Sequence, residues 1–376
     1  MKIEKKYNII LAGGGTGGHV FPIQSLIEYI DKNPNYAKKC KNIYRVGTKN
    51  SLEQERCEHL QTSCKNIETL HFKSILSGKF RRERGFVPLL KNIRDMIQFG
   101  LGVIQAMGFL LTHKIDIIFC KGGYAALPIV IAGKIFGKKI LVHESDTKPG
   151  LVNKIAAKCA RKVFTGFDNV LAGAETVGQI LSDNLYSDGK TPKDFVKKLA
   201  IHQQGNKIKT NLLLIGGSQG AKTLYEAVIS ANPGPEYNIF VILGKENQAL
   251  RTLFQQKLPH VKLFDFVSQQ EMGTLLYHTD IAITRAGTTS LAEQKLYGIK
   301  SIIVAIPWTH DQSTNAKYYV NKYQDISLNQ KSSNFVEEMA KLLEHYKDFK
   351  KEVDSVDIVS NITSAKEKIL VSFFEG

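Results

Sequence analysis

The sequence lacks the features that define several protein classes. Its 376 residues contain five cysteines, an odd number without a CxxC pair, and the chain opens without a signal-peptide pattern. This usage argues against a disulfide framework and favours a reducing cytoplasm. The longest nearly uncharged apolar run, Phe99–Leu111, is shorter than the roughly 18 residues that a spanning helix needs. We therefore expect any contact with a membrane to be peripheral.

Motifs for metal and nucleotide-triphosphate chemistry are also missing. The sequence contains no Asp-x-Asp, HExxH or P-loop pattern. We expect no metal and no cofactor. A phosphorylated leaving group would then be stabilised by helix dipoles and hydroxyl groups.

Acidic residues are scarce in one half of the chain. The net charge is +16, and residues 1–178 hold 28 of the 51 basic but only 14 of the 35 acidic residues, so that half carries +14. Such a one-sided field indicates a nucleic acid, an anionic membrane or a phosphate-bearing substrate.

The chain alternates short apolar runs with helical patterns, which predicts an α/β fold with two doubly wound parallel sheets. This alternation weakens between Ser182 and Thr210, and we expect a domain boundary near Gly178. We expect an N-terminal domain over residues 1–178, a C-terminal domain over 179–350 and a helical tail over 351–376. The predicted strands are Tyr7–Ala12, Asn42–Gly47, Asp116–Cys120, Lys139–His143, Lys162–Thr165, Asn211–Ile215, Tyr237–Leu243, Val261–Phe264, Asp280–Thr284 and Ser301–Ala305.

The first predicted strand runs into a glycine turn, Gly13–Gly18, that satisfies GxGxxG. The turn offers backbone N–H groups and a helix N-terminus to an anion, so a dinucleotide site is one interpretation. The second strand lacks the acidic residue that would bind a ribose, although Arg45 could suit a 2′-phosphate. His19 follows the turn directly, as a general base or as a packing histidine.

Two later turns repeat this design. Gly216–Ala221 follows a strand and supplies the Ser218 hydroxyl at a helix start. Arg285–Glu293 places Thr288, Thr289 and Ser290 at another helix N-terminus, where phosphates are favoured. Glu293 is either a capping carboxylate or an acceptor for ribose hydroxyls.

A basic segment between Lys73 and Arg94 interleaves seven cations with apolar side chains and contains the single acid Glu83. It is either a solvated loop beside a core helix or a surface that docks on an anionic membrane. The residues predicted to contact the membrane are Phe80, Arg81, Arg82, Arg84 and Phe86.

Six ordered motifs together resemble the MurG family, over about residues 7–320. They are Gly14–Pro22, Gly122–Tyr124, His143–Asn153, Gly216–Ala221, Arg285–Glu293 and Gln312–Ala316. The resemblance implies a GT-B architecture: two Rossmann-like domains facing a cleft, with the C-terminal helix packed back on the first domain. It also implies an inverting transfer of N-acetylglucosamine (GlcNAc) from UDP to the 4-hydroxyl of the muramoyl sugar of lipid I, which gives lipid II.

The resemblance further implies residue roles. His19 would be the base, and Glu293 would hold the ribose, Val267 the uracil through its backbone, and Gln312 the sugar hydroxyls. The full implied UDP-GlcNAc set is Thr16, Gly17, Gly18, Asp146, Ser218, Val267, Thr288, Thr289, Ser290, Leu291, Ala292, Glu293 and Gln312. The implied acceptor side is Tyr124, Gly122, Gly123, Gly14 and Gly15.

Two positions depart from the family pattern. Asp146 stands where one variant of the motif has Asn, and Gly178–Ser182 stands where the family has Gly-Asn-Pro-x-Arg, so the hinge proline and the donor-binding arginine are missing.

The implied partners are UDP-GlcNAc, lipid I and an anionic membrane surface, with other cell-wall synthesis proteins as possible partners. The enzyme would lie peripherally on the cytoplasmic face of the inner membrane and serve peptidoglycan synthesis, and through it cell shape and division. The alternatives are a UDP-sugar transferase acting on another lipid acceptor and an NADP-binding oxidoreductase. A nucleic-acid-binding protein is disfavoured because no RNA- or DNA-binding motif is evident.

Overall fold

The computed structural model describes residues 5–78, 86–199, 209–216, 221–309, 311–351 and 358–375. The strands are β1 (Tyr7–Gly13), β2 (Cys40–Gly47), β3 (Leu70–Ser74), β4 (Ile117–Gly122), β5 (Lys139–Glu144), β6 (Lys162–Thr165), β7 (Glu175–Thr176), β8 (Thr210–Ile215), β9 (Tyr237–Ile242), β10 (Lys262–Phe264), β11 (Ile281–Thr284), β12 (Lys300–Val304) and β13 (Ile326–Leu328).

The helices are α1 (Gly17–Lys32), α2 (Pro34–Ala37), α3 (Leu52–Ser63), α4 (Phe86–His113), α5 (Leu127–Ile135), α6 (Leu151–Cys159), α7 (Lys193–Leu199), α8 (Lys222–Ala231), α9 (Arg251–Lys257), α10 (Gln269–His278), α11 (Thr288–Leu296), α12 (Gln312–Tyr323), α13 (Phe335–His345) and α14 (Ile358–Phe374). Short 3₁₀ turns lie at Tyr124–Ala126, Asp183–Leu185 and Lys245–Leu250.

The chain forms two compact units. Unit 1 comprises Met1–Ser182 together with Ile362–Gly376, and unit 2 comprises Asp183–Asn361. The first division follows Ser182, where the sequence analysis sets the boundary at Gly178. The second falls inside α14, where the sequence analysis begins the tail at residue 351.

Unit 1 is built on a seven-stranded sheet in the order β3-β2-β1-β4-β5-β6-β7, with parallel pairing throughout the described strands. Successive side chains of β1 point to opposite faces, and both faces are buried. Ile9 and Leu11 pack with α1 and α14, whereas Ile10 packs with α4 and α5. This two-sided burial explains why the central strands read as continuous apolar runs.

Unit 2 is built on a six-stranded parallel sheet in the order β10-β9-β8-β11-β12-β13. On one face, Leu212 and Leu214 of β8 pack against α8, α9 and α13. The α/β class and the two parallel sheets predicted from the sequence are confirmed. The sequence analysis missed β3, β7 and β13.

The two sheets are locked at their amino ends by the same arrangement, which we call the asparagine clamp. In unit 1 the Asn8 amide N–H donates to Asp116 Oδ2 (2.9 Å), and the Asn8 side-chain oxygen accepts from Asn42 (2.8 Å). Unit 2 repeats both bonds at 2.8 Å, with the residues Asn211, Asp280 and Asn238. The clamp joins three neighbouring strands and fixes their register.

Helix α14 supplies part of the unit 1 core. Ile369 and Phe373 are fully buried against the strands. Lys366 is also fully buried, and its Nζ donates to the Leu181 carbonyl (2.8 Å). The end of the chain is thereby fastened to the segment that leaves unit 1.

Helix α4 is longer than the apolar run Phe99–Leu111, from which the sequence analysis expected no helix of spanning length. By length and composition, Leu90–His113 is long and apolar enough to cross a membrane, although Lys91, Arg94 and Asp95 lie in its first turns. Ala106, Phe109 and Leu110 nevertheless pack into the core of unit 1. The helix is thus a core element with a second, exposed apolar face.

Candidate active site

The first glycine turn of unit 1 places a histidine at its open end. Thr16, in an extended conformation, precedes α1, and its hydroxyl lies 3.2 Å from Nδ1 of His19. His19 is half-buried. A Cβ added to Gly122 would lie 3.2 Å from Nε2 of His19, so this ring nitrogen faces the turn that follows β4.

Two glycine turns meet here and form what we call the glycine cradle, composed of Gly14, Gly15, Gly122 and Gly123. Gly122 and Gly123 have φ of +109° and +81°, which favours glycine, and a side chain on Gly123 would collide with the Gly14 carbonyl. A Cβ added to Gly15 would lie 3.1 Å from the ring of Tyr124. The structure therefore brings together the residues that the sequence analysis assigns to the acceptor side.

Buried charges lie beneath the cradle. Arg45 is 2% exposed and donates to the carbonyls of Leu11 (3.1 Å), Val46 (2.8 Å) and Gly13. Burial lowers the pKa of Arg45 to about 10, against the attraction of Glu53. Because its guanidinium donates to backbone carbonyls inside the unit, Arg45 is not available to a 2′-phosphate. The sequence-based argument that Arg45 could serve an NADP site therefore no longer holds.

Glu53 is the second buried charge, and its carboxylate occupies the space that a side chain on Gly14 would need. It accepts from the backbone N–H (3.1 Å) and the hydroxyl (2.9 Å) of Thr48. Burial alone would raise the pKa of Glu53, but these hydrogen bonds and the charge of Arg45 lower it. Glu53 stays ionised and supports the turn from below.

Strand β5 ends in another buried carboxylate that organises a loop. Glu144 accepts from the N–H groups of Asp146 (2.9 Å) and Gly150 (3.1 Å) and from the side chain of Asn153 (3.0 Å). The Asn153 amide also lies against Gly122. The half-buried Asp146 is therefore held on a loop connected to the glycine cradle. The sequence analysis quoted Glu144 and Asn153 as parts of a motif but gave them no role.

In unit 2, the predicted phosphate site begins helix α11. Thr288 is its first residue and is buried, whereas Thr289, Ser290 and Ala292 are partly exposed. The open end of this helix presents N–H groups and a positive dipole. Leu291 is fully buried, and its N–H donates to the Gly287 carbonyl (3.0 Å). Neither its side chain nor its N–H is therefore available to a ligand.

Glu293 lies one turn into the same helix. Burial raises the pKa of Glu293 to about 8, so the free carboxyl is largely protonated at neutral pH. Hydrogen-bond donors such as a ribose diol would favour its charged form. Val267, assigned to the uracil, follows β10 and is 5% exposed, so only its backbone suits the predicted contact.

Gln312 joins two loops at the carboxyl edge of this sheet. Its side-chain oxygen accepts from the N–H groups of Ala286 (3.3 Å) and Ile306 (3.0 Å), which leaves the amide nitrogen for a sugar hydroxyl. Arg285 is buried and donates to the Val304 carbonyl (3.0 Å) and to Gln330 (2.6 Å). Burial lowers the pKa of Arg285.

Some predicted residues lie outside the described part of the chain. These are Ser218, Phe80, Arg81, Arg82 and Arg84, together with the side chain of Phe86, whose backbone begins α4. Within the ranges that the structure describes, no group of three or more His, Cys, Asp or Glu residues could hold a metal ion.

Comparison with solved structures establishes the fold. The MurG of Acinetobacter baumannii superposes with a TM-score of 0.69 at 20% identity, covering 98% of this chain and 99% of that one. A UDP-GlcNAc 2-epimerase from Neisseria meningitidis, solved with UDP-GlcNAc, superposes at 0.62 and 12% identity, covering 98% and 100%. Since transferases and epimerases share this GT-B fold, the fold does not decide the reaction.

Sequence comparison is more specific. Residues 9–165 match the glycosyltransferase family 28 N-terminal domain and residues 211–369 its C-terminal domain. The UDP-N-acetylglucosamine--N-acetylmuramyl-(pentapeptide) pyrophosphoryl-undecaprenol N-acetylglucosamine transferase of Staphylococcus carnosus is 30% identical, covering 96% of both chains. The Staphylococcus aureus (strain MRSA252) protein of that name is 30% identical over 84% of this chain and 83% of its own. The chain belongs to glycosyltransferase family 28 and, within it, to the MurG family.

Proposed function

We propose that the protein transfers GlcNAc from UDP-GlcNAc to the 4-hydroxyl of the muramoyl sugar of lipid I, with inversion, to form lipid II. The names of the relatives support the assignment of the donor and of the acceptor. The observation that carries the chemistry is the position of His19, whose Nε2 faces the glycine cradle while Nδ1 meets the Thr16 hydroxyl.

His19 can act as the base in one of its neutral tautomers. When Nδ1–H donates to the Thr16 hydroxyl, Nε2 keeps its lone pair and can accept the proton of the attacking hydroxyl. The acceptor oxygen then forms a bond to C1 of GlcNAc as the bond from C1 to the phosphate oxygen breaks. UDP leaves with that electron pair, and one such displacement inverts the anomeric centre.

The departing diphosphate is assigned to unit 2. The N-terminus of α11, with Thr288, Thr289 and Ser290, supplies hydroxyls and a helix dipole to the developing charge, and Ser218 belongs to the same proposed set. Glu293 would accept from the ribose, Val267 would meet the uracil through its backbone, and the Gln312 amide would donate to the sugar. From unit 1, Thr16, Gly17, Gly18 and Asp146 would approach the transferred sugar.

The lipid acceptor requires a membrane surface, and α4 offers one. Its large exposed apolar residues lie along one face of the helix and form what we call the α4 stripe: Leu90, Ile93, Met96, Ile97, Leu101, Ile104 and Leu111. Met96 is 68% exposed and Ile104 is 66% exposed. Lys91 and Arg94, the last two cations of the basic segment, lie near the start of the same helix. This combination suits peripheral binding to the anionic cytoplasmic leaflet.

A transfer assay tests the proposal directly. Purified protein is incubated with radiolabelled UDP-GlcNAc and a lipid I analogue, and label in the lipid product is measured. Transfer to a diacylglycerol acceptor but not to the lipid I analogue would overturn the acceptor assignment. Calorimetric titration with UDP and with NADPH separates the remaining alternative, since NADPH binding without UDP binding would overturn the transferase.

A further inference from the structure

Lys121 is a charged side chain with no exposed surface in the middle of unit 1. It lies in β4, directly before Gly122 of the glycine cradle, and its Nζ donates to the Ser145 hydroxyl. Burying an ammonium group is costly unless it is paired and hydrogen-bonded. Nothing in the roles assigned above makes use of this cation.

The charges around Lys121 belong to the loop after β5. Glu144 and Asp146 attract the ammonium, and burial, the larger influence, lowers the pKa of Lys121. The other titratable groups that face it are Cys120 on its own strand and His143 on β5. Burial and the charge of Lys121 hold the pKa of His143 well below its ordinary value, so His143 stays neutral. Lys121 is thus the counter-charge of a buried acidic loop.

Ser145 is fixed from two sides. Its hydroxyl accepts from Lys121, and its carbonyl accepts from the side chain of Gln179 (2.8 Å). The next residue, Asp146, is held through its N–H by Glu144. A shift of Ser145 would therefore move Asp146.

A second connection leads back to the base. Asn153 donates to Glu144 (3.0 Å) and lies against Gly122, which in turn faces Nε2 of His19. Lys121 acts on both ends of this chain of contacts, because it is bonded covalently to Gly122 and attracts Glu144.

The same position in unit 2 also carries a buried cation. Counting five residues from each clamp aspartate leads from Asp116 to Lys121 and from Asp280 to Arg285. Lys121 binds the residue after β5, and Arg285 binds the carbonyl of Val304 at the end of β12. In both sheets the cation joins the carboxyl ends of two neighbouring strands.

We propose that Lys121 is a positioning residue for the transfer reaction: its buried ammonium holds Ser145, and with it Asp146, in register with Gly122 and His19. The role in catalysis depends on the proposed function, whereas the structural role does not. Lys121 reaches no solvent, so it acts through these neighbours and not on the substrate.

The test compares Lys121→Met with Lys366→Met, which removes the other fully buried lysine described in unit 1. We expect Lys121→Met to lower kcat with the lipid I analogue by about 10- to 100-fold, since small misplacements have such effects. The dissociation constant of UDP should change by less than about twofold, because the UDP site is assigned to unit 2. Lys121→Arg keeps the charge and should retain more activity than Lys121→Met.

Hydrogen exchange provides a readout that is independent of activity. In Lys121→Met the amides of Asp146 and Gly150 should exchange at least about tenfold faster, while Lys366→Met leaves them protected. If the wild-type protein transfers nothing to lipid I, the proposed function fails, and the exchange rates still decide whether Lys121 holds the loop.

Three results would overturn the inference. They are a folded Lys121→Met with wild-type kcat, an equal loss of kcat in Lys366→Met, and unchanged exchange at Asp146 and Gly150. If Lys121→Met does not fold, Ser145→Ala takes its place, since it removes only the hydroxyl that the ammonium binds. Wild-type kcat and exchange in Ser145→Ala would then count against Lys121 as a positioning residue.

Discussion

The carboxyl edges of the two sheets support their turns with different chemistry. In unit 1, the glycine turns lie on the buried charges of Arg45 and Glu53, and the loop after β5 surrounds Glu144. In unit 2, the described turns are joined by the neutral amide of Gln312, and Arg285 pairs with a carbonyl and a neutral glutamine.

This difference matches the work assigned to each unit. A base and an acceptor hydroxyl must be aligned closely, and buried charges with several hydrogen bonds each hold a backbone rigidly. A nucleotide sugar can be bound by helix termini and by groups that change state when it arrives, such as the protonated carboxyl of Glu293. Under the proposed function, unit 1 therefore positions the reacting groups and unit 2 binds the donor.

The largest effect that this comparison predicts is on catalysis. Replacing His19 with alanine should lower turnover with a lipid I analogue by about 10²- to 10⁴-fold, the usual contribution of a general base. UDP affinity, measured by calorimetry, should stay at the wild-type value because unit 2 is unchanged. Wild-type turnover in His19→Ala would remove this residue as the base.

The next effect is on stability. Arg45→Met removes the hydrogen bonds to three carbonyls and leaves Glu53 buried without its cation, so we expect a loss of about 3 kcal/mol in the unfolding free energy of unit 1. The matched change in unit 2, Gln312→Leu, leaves two N–H groups without their acceptor and should cost about 1–3 kcal/mol. Denaturant unfolding measures both, and a larger loss in Gln312→Leu would reverse the comparison.

A smaller effect concerns pH. The pKa of the free Glu293 carboxyl is raised to about 8. In the proposed site the ribose hydroxyls donate to its charged form, so UDP binding below pH 8 should release a proton. UDP affinity should therefore rise with pH by up to about tenfold per unit below 8 and level off above it. Glu293→Gln should lack this rise, while titration of the UDP phosphate is common to both proteins. Identical pH profiles would show that Glu293 does not bind the ribose.

Without ligand, Glu53 and Glu293 should change the stability of their units with pH in opposite directions. The pKa of Glu53 is lowered on folding, so its contribution to the stability of unit 1 is present above its unfolded pKa and is lost as the pH falls through the folded value. Glu293 has a raised pKa, so unit 2 loses stability as the pH rises from its unfolded pKa toward 8. Comparing each wild-type profile with Glu53→Gln and Glu293→Gln tests the two signs.

Substitutions in the α4 stripe should have the smallest effect on the stability of the protein. Met96→Ser, Ile97→Ser and Ile104→Ser together should reduce sedimentation with anionic liposomes, whereas surface changes of this kind usually alter stability by less than about 0.5 kcal/mol each. Val336→Ser on α13 of unit 2 is the matched control and should leave sedimentation unchanged. Undiminished sedimentation of the triple variant would exclude the stripe as the membrane surface.

The sequence predicted the central strands well because burial on both faces makes them continuous apolar runs, as in β1 and β8. It missed β3 and β13 for a physical reason. The side chains of β3 are mostly half-exposed and include a lysine, and β13 has only three residues, so neither produces an apolar run. Edge strands of this kind are formed by their neighbours.

The candidate site was predictable where it depends on glycine. Turns such as Gly122–Gly123 stand out because a positive φ and a close backbone approach leave little choice of residue. The buried charges were not predictable, because Arg45, Glu53 and Lys121 look like ordinary surface charges in a single sequence. Only the tertiary fold reveals that these side chains have almost no exposed surface.

The asparagine clamp stands at the same distance in sequence from the first glycine turn in both halves of the chain. Five residues beyond Asn8 and Asn211 stand the glycines that follow the apolar parts of β1 and β8, Gly13 and Gly216. In each unit the clamp lies at the amino edge of the sheet, whereas the glycine turn lies at the carboxyl edge, one strand length away. Strand alignment and site chemistry therefore depend on different residues of the same strand.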